Sequence, residues 1–356
     1  MRLGLRHGGA RDRTQYSWTA MRRNVVERIL GPIFGLFVAM LAPIFALAAR
    51  SGFGIDACRR WGFQPVRLHF YQPIPRYESM PAATFDAPQP YPGLEFDGRR
   101  FVQTLDQLAP FAVEADFPRD AQPLGRYSAR NDQFGFSSAA LLHAFIRAAG
   151  SRRIVEVGGG YSTLVSLSAL ARNAASGGYD FACVEPYPSA WLRRAVADCA
   201  PSARLIEAAA ETLPVDLFLE LQSGDILFVD SSHCVRLGGD VNYLMLQILP
   251  KLNPGVLVHV HDIYLPYEYP RAHYFGRRKL YWTEQYLLAA LLSGGRNWEI
   301  LLPAFYVQRH MAAEFARTFP HFDAAVDRPS SSFWMRRRDP AATVDPSSNS
   351  RDSHGP

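Results

Sequence analysis

The sequence predicts an α/β fold with a doubly wound, mostly parallel sheet. Between residues 136 and 337, short apolar segments of strand length alternate with longer segments of helical periodicity. Three consecutive glycines, Gly158–Gly160, directly follow the first of the apolar segments, and acidic and imidazole side chains follow two later ones. Since alternating strands and helices are typical of crossover βαβ units, these observations indicate a ligand crevice at the carboxyl ends of parallel strands.

The predicted elements follow one another in a regular order. A helix is predicted at 137–149, where the amphipathic pattern ends at Gly150, and the first strand follows at 153–157. The other predicted elements are helices at 162–174, 189–198, 240–251 and 281–293 and strands at 181–185, 203–207, 225–230, 255–262, 298–302 and 332–336. Seven strands in this order predict one sheet with helices on both faces.

The segment from Ile154 to Thr163 predicts a strand that turns sharply into a helix around a small ligand. Glycine lets the backbone adopt a positive φ and approach a ligand closely, and the start of a helix offers unpaired N–H groups. A dinucleotide fingerprint requires a glycine where this chain has Thr163, so the sequence disfavours NAD. The second strand ends in Glu185, where a carboxylate can accept hydrogen bonds from ribose hydroxyls.

The glycine turn, with one acid before it and another at the end of the second strand, resembles the class I S-adenosylmethionine-dependent methyltransferases. The resemblance runs from about Phe136 to Arg337 and implies a methyltransferase domain at 136–337. It implies a Rossmann-like, seven-stranded methyltransferase sheet that ends in a reversed β-hairpin, with S-adenosylmethionine as the cofactor. The cofactor-binding residues that we assign on this basis are Glu156, Gly158, Gly160, Ser162 and Glu185.

Two later strand ends bring carboxylates and imidazoles to the same crevice. Asp230 ends one apolar run and precedes His233 by three positions, while the next run ends in His261 and Asp262. This pattern resembles the metal-dependent sugar O-methyltransferases of macrolide biosynthesis. The resemblance implies Asp230 and Asp262 as ligands of a divalent metal, with Asp230 and His233 catalytic and His233 the general base. His261 stands where an acidic ligand is expected, and as a third ligand its imidazole suits Mn, Fe or Zn better than Mg.

These roles are chemically consistent with methyl transfer to a hydroxyl. An alcohol has too high a pKa to attack a methyl sulfonium at neutral pH, so a divalent metal, Mg or Mn, and a histidine base would help it. We expect the acceptor to be a hydroxyl of a sugar, glycan or lipid-linked metabolite. Two alternatives stay open: a membrane-tethered scaffold that kept the fold without turnover, and a metal-dependent oxidative enzyme of the same fold.

The N-terminal region predicts association with a membrane. Residues 29–49 form an uncharged run that is long enough to cross a hydrocarbon core of about 30 Å. Residues 1–28 form a basic tail whose seven arginines and two acids account for the whole formal net charge of +5. The remaining chain therefore has no net basic charge with which to follow a phosphate backbone, which disfavours nucleic acid as a partner.

The orientation of the apolar run is constrained by the cofactor, which is supplied inside the cell. Basic residues flank the run on both sides, and Gly31-Pro32 and Pro43 interrupt it. We therefore expect the segment to dip into the membrane and return, which leaves the catalytic domain on the cytoplasmic face. A cleaved signal peptide is the alternative.

Two regions outside the predicted sheet have distinct compositions. Residues 50–135 are rich in proline and aromatic residues and predict an irregular accessory region. Residues 338–356 are polar and rich in proline and serine, which predicts a disordered tail. The sequence leaves the oligomeric state open.

Overall fold

The computed structural model describes residues 16–339, except 75, 175–176, 277–278 and 295. The chain consists of two compact units, and the boundary between them lies between residues 79 and 80. The first unit contains helix α1 (Tyr16–Ala48), helix α2 (Gly52–Arg60) and a short 3-10 turn at Tyr77–Ser79. The predicted disordered tail lies outside the described residues from 340 onward, and so does the predicted basic tail up to residue 15.

The second unit contains the sheet and the helices around it. Its strands are β1 (Arg153–Val157), β2 (Asp180–Val184), β3 (Ala203–Ile206), β4 (Ile226–Val229), β5 (Leu257–Val260), β6 (Trp298–Pro303) and β7 (Phe333–Arg337). Its α-helices are α3 (Ala83–Asp86), α4 (Gly98–Ala112), α5 (Phe136–Ala149), α6 (Tyr161–Asn173), α7 (Ala190–Ala197), α8 (Asp216–Leu219), α9 (Asp240–Tyr243), α10 (Arg271–Phe275), α11 (Glu284–Ser293), α12 (Ala304–His310) and α13 (Ala312–Thr318). Helix α9 continues without a break through a π turn at Leu244–Ile248 and a 3-10 turn at Leu249–Lys251.

The seven strands form one mixed sheet in the order β3-β2-β1-β4-β5-β7-β6. Strands β1 to β5 pair in parallel, whereas β7 runs antiparallel to both β5 and β6. The sequence prediction of a seven-stranded Rossmann-like sheet with a reversed final hairpin is confirmed. Because the strand order reverses beside β1 and β4, the carboxyl ends of these two strands border the crevice where such sheets bind ligands.

The central strands are buried on both faces, as their continuous apolar sequences require. All four residues of β4 are fully buried. Phe145 of α5 stacks on Trp334 of β7 with ring centroids 4.0 Å apart, and His259 of β5 packs 4.8 Å from the same indole. His259 is therefore a packed core histidine, and burial holds its pKa well below the usual range.

Helix α4 corrects the prediction that residues 50–135 lack regular structure. Its residues Phe101, Leu105, Leu108 and Ala112 are buried and follow the i, i+4, i+7, i+11 spacing of a helix face. Asp97 caps the helix by accepting a hydrogen bond from the Arg99 N–H at 3.0 Å. The helix packs against α5 and β6, so this part of the predicted accessory region belongs to the core.

The structure also contains short helices that the sequence pattern did not predict. Four of them, α8, α10, α12 and α13, have seven residues or fewer, which is too short for helical periodicity to stand out. The predicted helix at 281–293 begins at Glu284 instead. That difference places Glu284 at the start of α11, next to the functional residues.

Helix α1 corrects the prediction that the apolar run turns back within the membrane. The helix is continuous from Tyr16 to Ala48 and contains Pro32 and Pro43 within its length. Its segment Gly31–Ala48 is long and apolar enough to cross a membrane and has no buried residue. By length and composition alone, an N-terminal signal sequence would pass the same test.

An ion-pair network joins three helices next to the sheet. Glu114, just after α4, lies 3.0 Å from His143 Nε2, 2.8 Å from Arg147 Nε and 3.2 Å from Arg172 Nη1. The Arg147 hydrogen bond outweighs burial and, with His143, lowers the pKa of Glu114 from 4.5 to about 2. A lowered folded-state pKa stabilises the protein above the unfolded pKa, and this contribution is lost as the pH falls from 4.5 towards 2.

We therefore expect Glu114→Gln to lower the free energy of unfolding by about 1–3 kcal/mol at pH 7. The difference from the unsubstituted protein should shrink steadily between pH 4.5 and pH 2, because both proteins then lack the carboxylate. Urea unfolding at a series of pH values measures it. Asp198→Asn on the exposed end of α7 is the control and should change stability little at any pH. If the difference in the free energy of unfolding did not change with pH, the Glu114 carboxylate would not be the stabilising group.

Candidate active site

The three glycines after β1 differ in the space around them. Gly158 has φ +90°, and a Cβ there would lie 1.8 Å from the carbonyl oxygen of Asp230, so glycine is required where β1 and β4 approach each other. A Cβ at Gly159 would lie 2.4 Å from Cys183 Sγ. At Gly160 no atom lies within 4 Å of the position of a Cβ. Of the three, only Gly160 therefore leaves open space beside the turn.

Glu156 lies beneath the turn and fixes the start of α6. Its Oε1 accepts hydrogen bonds from the hydroxyls of Ser162 and Thr163, while its Oε2 is buried without a partner among the described residues. Burial raises the pKa of Glu156 to about 8 although both hydroxyls favour the carboxylate. The structure thus gives Glu156 and Ser162 contacts with each other, and direct contact of either with a cofactor stays a prediction.

Glu185 follows β2 and faces the same turn. Its Oε2 accepts a hydrogen bond from the Gly159 N–H at 3.2 Å, and its Oε1 accepts one from the Tyr187 N–H at 2.8 Å. Carboxylate oxygens have further lone pairs, so Glu185 can still accept hydrogen bonds from a ligand. Glu185 therefore supports the glycine turn and can also accept hydrogen bonds from a ligand beside the turn.

A cavity of about 450 Å³ lies at the carboxyl ends of the strands. Gly158–Ser162 and Glu185 border it on one side, and Asp230, His261 and Asp262 border it on the other. A larger cavity of about 1100 Å³ lies at the opposite ends of the strands, beside Gly224, Gly255 and Arg337. The smaller cavity is the candidate active site, because of the two it alone is lined by residues predicted to bind the cofactor and a metal.

Asp230, His233 and Asp262 converge at this cavity. One ligand atom from each of the three lies within 4.8 Å of the others. His233 Nε2 is 3.2 Å from Asp230 Oδ1 and 3.7 Å from Asp262 Oδ2. Asp262 is held in place by the Ser331 hydroxyl, which donates to its Oδ1 at 2.7 Å. Two strands and the loop after β4 therefore present two carboxylates and one imidazole to the same point.

Glu284 holds the other side of the His233 ring. Its carboxylate is fully buried, and its Oε2 lies 2.8 Å from His233 Nδ1. The carbonyl of His233 accepts hydrogen bonds from the backbone N–H groups of Thr283 and Glu284, so the loop after β4 caps the start of α11. The ring of Trp282 lies 4.4 Å from the imidazole. The orientation of His233 is thus fixed by both backbone and side-chain contacts.

Glu284 and Gln285 begin α11, but neither is an exposed residue of a first helical turn. Both are buried, and the Gln285 side chain bonds the backbone at Tyr264 and Tyr267. The sequence signal for these two residues was a charged side chain followed by an amide at the start of an otherwise apolar helix. Its meaning depended on a partner 51 positions earlier in the chain.

The charges around His233 favour its protonated form. Burial disfavours that form, but Asp230 and Glu284 outweigh burial and hold the pKa of His233 well above its usual range. Burial likewise raises the pKa of Asp230, but His261 and His233 outweigh it and hold that pKa below its usual range. Burial also raises the pKa of Glu284, although the contact with His233 favours its ionised form.

His233 and Asp262 both adopt left-handed backbone conformations, with φ of 58° and 57°. Residues other than glycine adopt this conformation at a cost of about 1–3 kcal/mol, and such positions concentrate at functional sites. The neighbouring Ser232 is held by Asp240, whose carboxylate accepts bonds from the Ser232 N–H and hydroxyl at 2.8 and 2.6 Å. The fold thus maintains two strained residues at the ends of adjacent strands.

His261 lies at the cavity but outside the convergent group. Its Nδ1 is 3.2 Å from His259 Nε2, and its Nε2 is 3.9 Å from Asp262 Oδ1. The ring also packs 5.0 Å from Phe134. Among the described residues, the three that come together as metal-ligating groups are Asp230, His233 and Asp262. The role of His261 as a ligand stays a prediction.

Residues 155–263 match the family model of a methyltransferase domain. This part of the chain is therefore similar to a methyltransferase domain. An uncharacterized protein of Archaeoglobus fulgidus is 26% identical over 200 residues, which are 54% of this chain and 88% of that protein.

Two solved methyltransferases resemble the domain structurally. The Podospora anserina methyltransferase PaMTH1 bound to S-adenosylhomocysteine has 17% identity and a TM-score of 0.37, and the match covers 66% of this chain and 88% of that one. The plantazolicin methyltransferase BamL has 11% identity and a TM-score of 0.38, with 67% and 98% covered. These overall similarities are low.

The methyltransferase domain has the features that S-adenosylmethionine requires at this position. Gly160 leaves space for a ligand beside the turn, and Glu185 offers carboxylate oxygens there. The adenosine ribose carries hydroxyl donors, and the amino group and sulfonium carry positive charge, so acidic side chains are suitable partners. The residues present therefore fit this cofactor.

Proposed function

We propose that this methyltransferase transfers the methyl group of S-adenosylmethionine to a hydroxyl of a sugar, glycan or lipid-linked metabolite. The observation that carries the proposal is the convergence of Asp230, His233 and Asp262 beside the cavity that Asp230, Asp262 and the glycine turn line. A hydroxyl acceptor needs a group that can take its proton, and His233 is the buried base of this cluster. A thiolate is already deprotonated, so methyl transfer onto it would not need such a base.

The proposed reaction moves one methyl group and one proton. The acceptor oxygen forms a bond to the methyl carbon while the bond from that carbon to the sulfonium sulfur breaks, which leaves a neutral thioether. The hydroxyl proton goes to His233 Nε2, whose other nitrogen faces Glu284. His233 must be neutral to accept it, so the negative charge of Asp230 and Asp262 has to be offset in the working enzyme.

A divalent cation, Mg or Mn, held by Asp230 and Asp262 would offset that charge. The two carboxylates provide the oxygen ligands that both ions accept, and His261, whose Nε2 lies 3.9 Å from Asp262 Oδ1, is proposed as the third ligand. When bound, such a cation lowers the pKa of a hydroxyl attached to it. Glu284 would then play the usual part of a carboxylate that orients a histidine beside a metal site.

We expect Asp262→Asn to weaken Mn²⁺ binding at least tenfold, because it removes one of the two carboxylate charges. Titration of the full chain with Mn²⁺, followed by electron paramagnetic resonance of the free ion, measures it. Asp106→Asn, at an exposed position of α4, is the matched control and should bind like the unsubstituted protein. Equal Mn²⁺ affinity in both variants would remove the metal from the proposal.

Calorimetric titration with S-adenosylmethionine and, separately, with NAD tests the cofactor. Saturable binding of the first alone is expected. The acceptor is then sought by incubating the protein with methyl-tritiated S-adenosylmethionine and pools of hydroxylated sugars, glycans and lipid-linked sugars. Base-stable label in an acceptor supports an ether, whereas label only in carboxylic acids or amines would overturn the proposed acceptor class.

We further propose that α1 anchors the protein with its methyltransferase domain on the cytoplasmic face of the membrane. The unburied apolar segment Gly31–Ala48 supports the anchor. Arginines flank this segment on both sides, so the cytoplasmic orientation is argued from the supply of S-adenosylmethionine inside the cell. Digestion of sealed inside-out and right-side-out membrane vesicles tests it. The domain should be cleaved only in the inside-out vesicles, and the reverse pattern would overturn the orientation.

A further inference from the structure

A run of exposed aromatic side chains directly follows α1. Phe53, Trp61, Phe70 and Tyr71 have 92%, 86%, 79% and 81% of their surfaces exposed. The same stretch also exposes Phe63, Val66 and Leu68. Apolar side chains in such density are rare on surfaces that face only water, so the segment from 52 to 71, here called the 52–71 segment, is suited to contact another phase or a partner.

The charges interleaved with these aromatic residues are mainly positive. The 52–71 segment contains Arg59, Arg60 and Arg67 against a single acid, Asp56. Arg59 bonds the side-chain oxygen of Gln64 at 2.9 Å, and within the described part of the chain none of the three arginines forms an ion pair. Large aromatic rings together with unpaired arginines are the combination found at the headgroup level of membranes.

The 52–71 segment is fixed at the end of the apolar part of α1. Gly31–Ala48 covers about 27 Å at 1.5 Å per residue, which is close to the thickness of a hydrocarbon core. Helix α2 begins four residues later and packs closely on that end, since a Cβ at Gly54 would lie 2.6 Å from Ala48 Cα. Phe63 contacts Phe45 of α1 edge-on at 6.3 Å. These contacts place the segment where a membrane-inserted α1 leaves the hydrocarbon.

We propose that the 52–71 segment lies in the headgroup layer of an anionic lipid bilayer. Its aromatic rings enter the boundary of the acyl chains, and its three arginines face lipid phosphates. Basic residues near an anionic membrane surface are attracted to it, so three arginines add to the membrane binding of a single apolar helix. The inference rests on the proposed insertion of α1 and is independent of methyl transfer.

Fluorescence quenching of Trp61 tests this placement. The full chain is reconstituted into liposomes that contain phosphatidylglycerol, with or without lipids brominated near the headgroup, and the emission of Trp61→Phe is subtracted from that of the unsubstituted protein. The difference signal should lose at least half its intensity with the brominated lipids and little with aqueous iodide. The same subtraction with Trp298→Phe, a buried residue of β6, is the control and should show neither effect.

Three other outcomes would overturn the inference. Quenching by iodide would place Trp61 in water, and quenching by neither agent would mean that another part of the chain or a second copy covers it. If brominated lipids quenched Trp61 equally in purely zwitterionic and in anionic liposomes, the arginines would not contribute to the placement of the segment. Flotation of the liposomes separates the α1 anchor from the placement of the 52–71 segment. If the protein floats while Trp61 is in water, the anchor stands and the placement is wrong. If the protein does not float, both proposals are wrong.

Discussion

His233→Asn should lower the turnover of methyl transfer by about 10²- to 10⁴-fold and leave the affinity for S-adenosylmethionine within about twofold of its original value. Asparagine can keep a hydrogen bond to Glu284 but cannot accept a proton from a hydroxyl. The glycine turn and Glu185, which border the cofactor space, make no hydrogen bond with the His233 side chain. Single-turnover methyl transfer to the acceptor and calorimetric titration of the cofactor measure the two effects separately.

Glu284→Gln is the matched variant, because it keeps the size of the side chain and removes only its charge. Glu284 is one of the two carboxylates that raise the pKa of His233, so its removal should lower that pKa. The base is active only when neutral, and its neutral fraction grows above its pKa. The acidic limb of the profile of kcat against pH should therefore move to lower pH in Glu284→Gln, while maximal turnover falls because the ring is less firmly oriented.

The two variants together distinguish a base from a structural residue. If His233→Asn weakened cofactor binding as much as turnover, the role of His233 would be to stabilise the structure of the loop after β4. If it abolished Mn²⁺ binding as well, His233 would be a metal ligand and the proton acceptor would have to be sought elsewhere. An unchanged pH profile in Glu284→Gln would remove the proposed effect of Glu284 on His233.

The sheet was predictable from sequence because its strands are buried on both faces. A strand such as β4 reads as a continuous apolar run whatever its neighbours are, and the acid that ends it marks the edge of the sheet. Asp230, His233 and Asp262 could likewise be found as side chains that follow apolar runs. Parallel strands place such positions at one edge, so local sequence was enough to bring them together.

The contacts that organise the site depend on residues distant in sequence, and local patterns did not reveal them. Glu284 meets His233 across 51 positions, and Ser331 meets Asp262 across 69. Nothing in the neighbourhood of Glu284 distinguishes a buried partner from an exposed acid in a first helical turn. Gly158 is a second case in which local sequence did not reveal the partner. A glycine is required there because of the backbone of Asp230 rather than because of a ligand.

Helices α1 and α4 were misread for opposite reasons. In α4 the apolar face was present at helical spacing, but the surrounding prolines and aromatic residues hid it. In α1, Pro32 and Pro43 suggested a turn, yet the helix continues through both positions. Proline removes one backbone hydrogen bond and favours a kink, which weakens a helix locally without reversing the direction of the chain.

Gly160→Ala should weaken the binding of S-adenosylmethionine about tenfold to hundredfold and leave the melting temperature unchanged. The backbone of Gly160 is extended, with φ −174°, a conformation that alanine adopts without strain. Apart from its neighbours along the chain, no atom of the described residues lies within 4 Å of the added methyl group, so the cost of the substitution falls on whatever occupies the cavity beside the turn. Forcing an extra methyl group into a filled site typically costs about 1–3 kcal/mol, which gives the expected loss of affinity.

Two other glycines complete this experiment. Gly98→Ala places a methyl group in open space at the start of α4, away from the cavity, and should change neither melting temperature nor cofactor affinity. Gly158→Ala combines a φ of +90° with a clash against the Asp230 carbonyl, so it should lower the melting temperature strongly. Cofactor affinity in Gly160→Ala equal to that of Gly98→Ala would mean that the space beside Gly160 is not the cofactor site. Since folding is monitored separately in all three variants, that result could not be attributed to loss of structure.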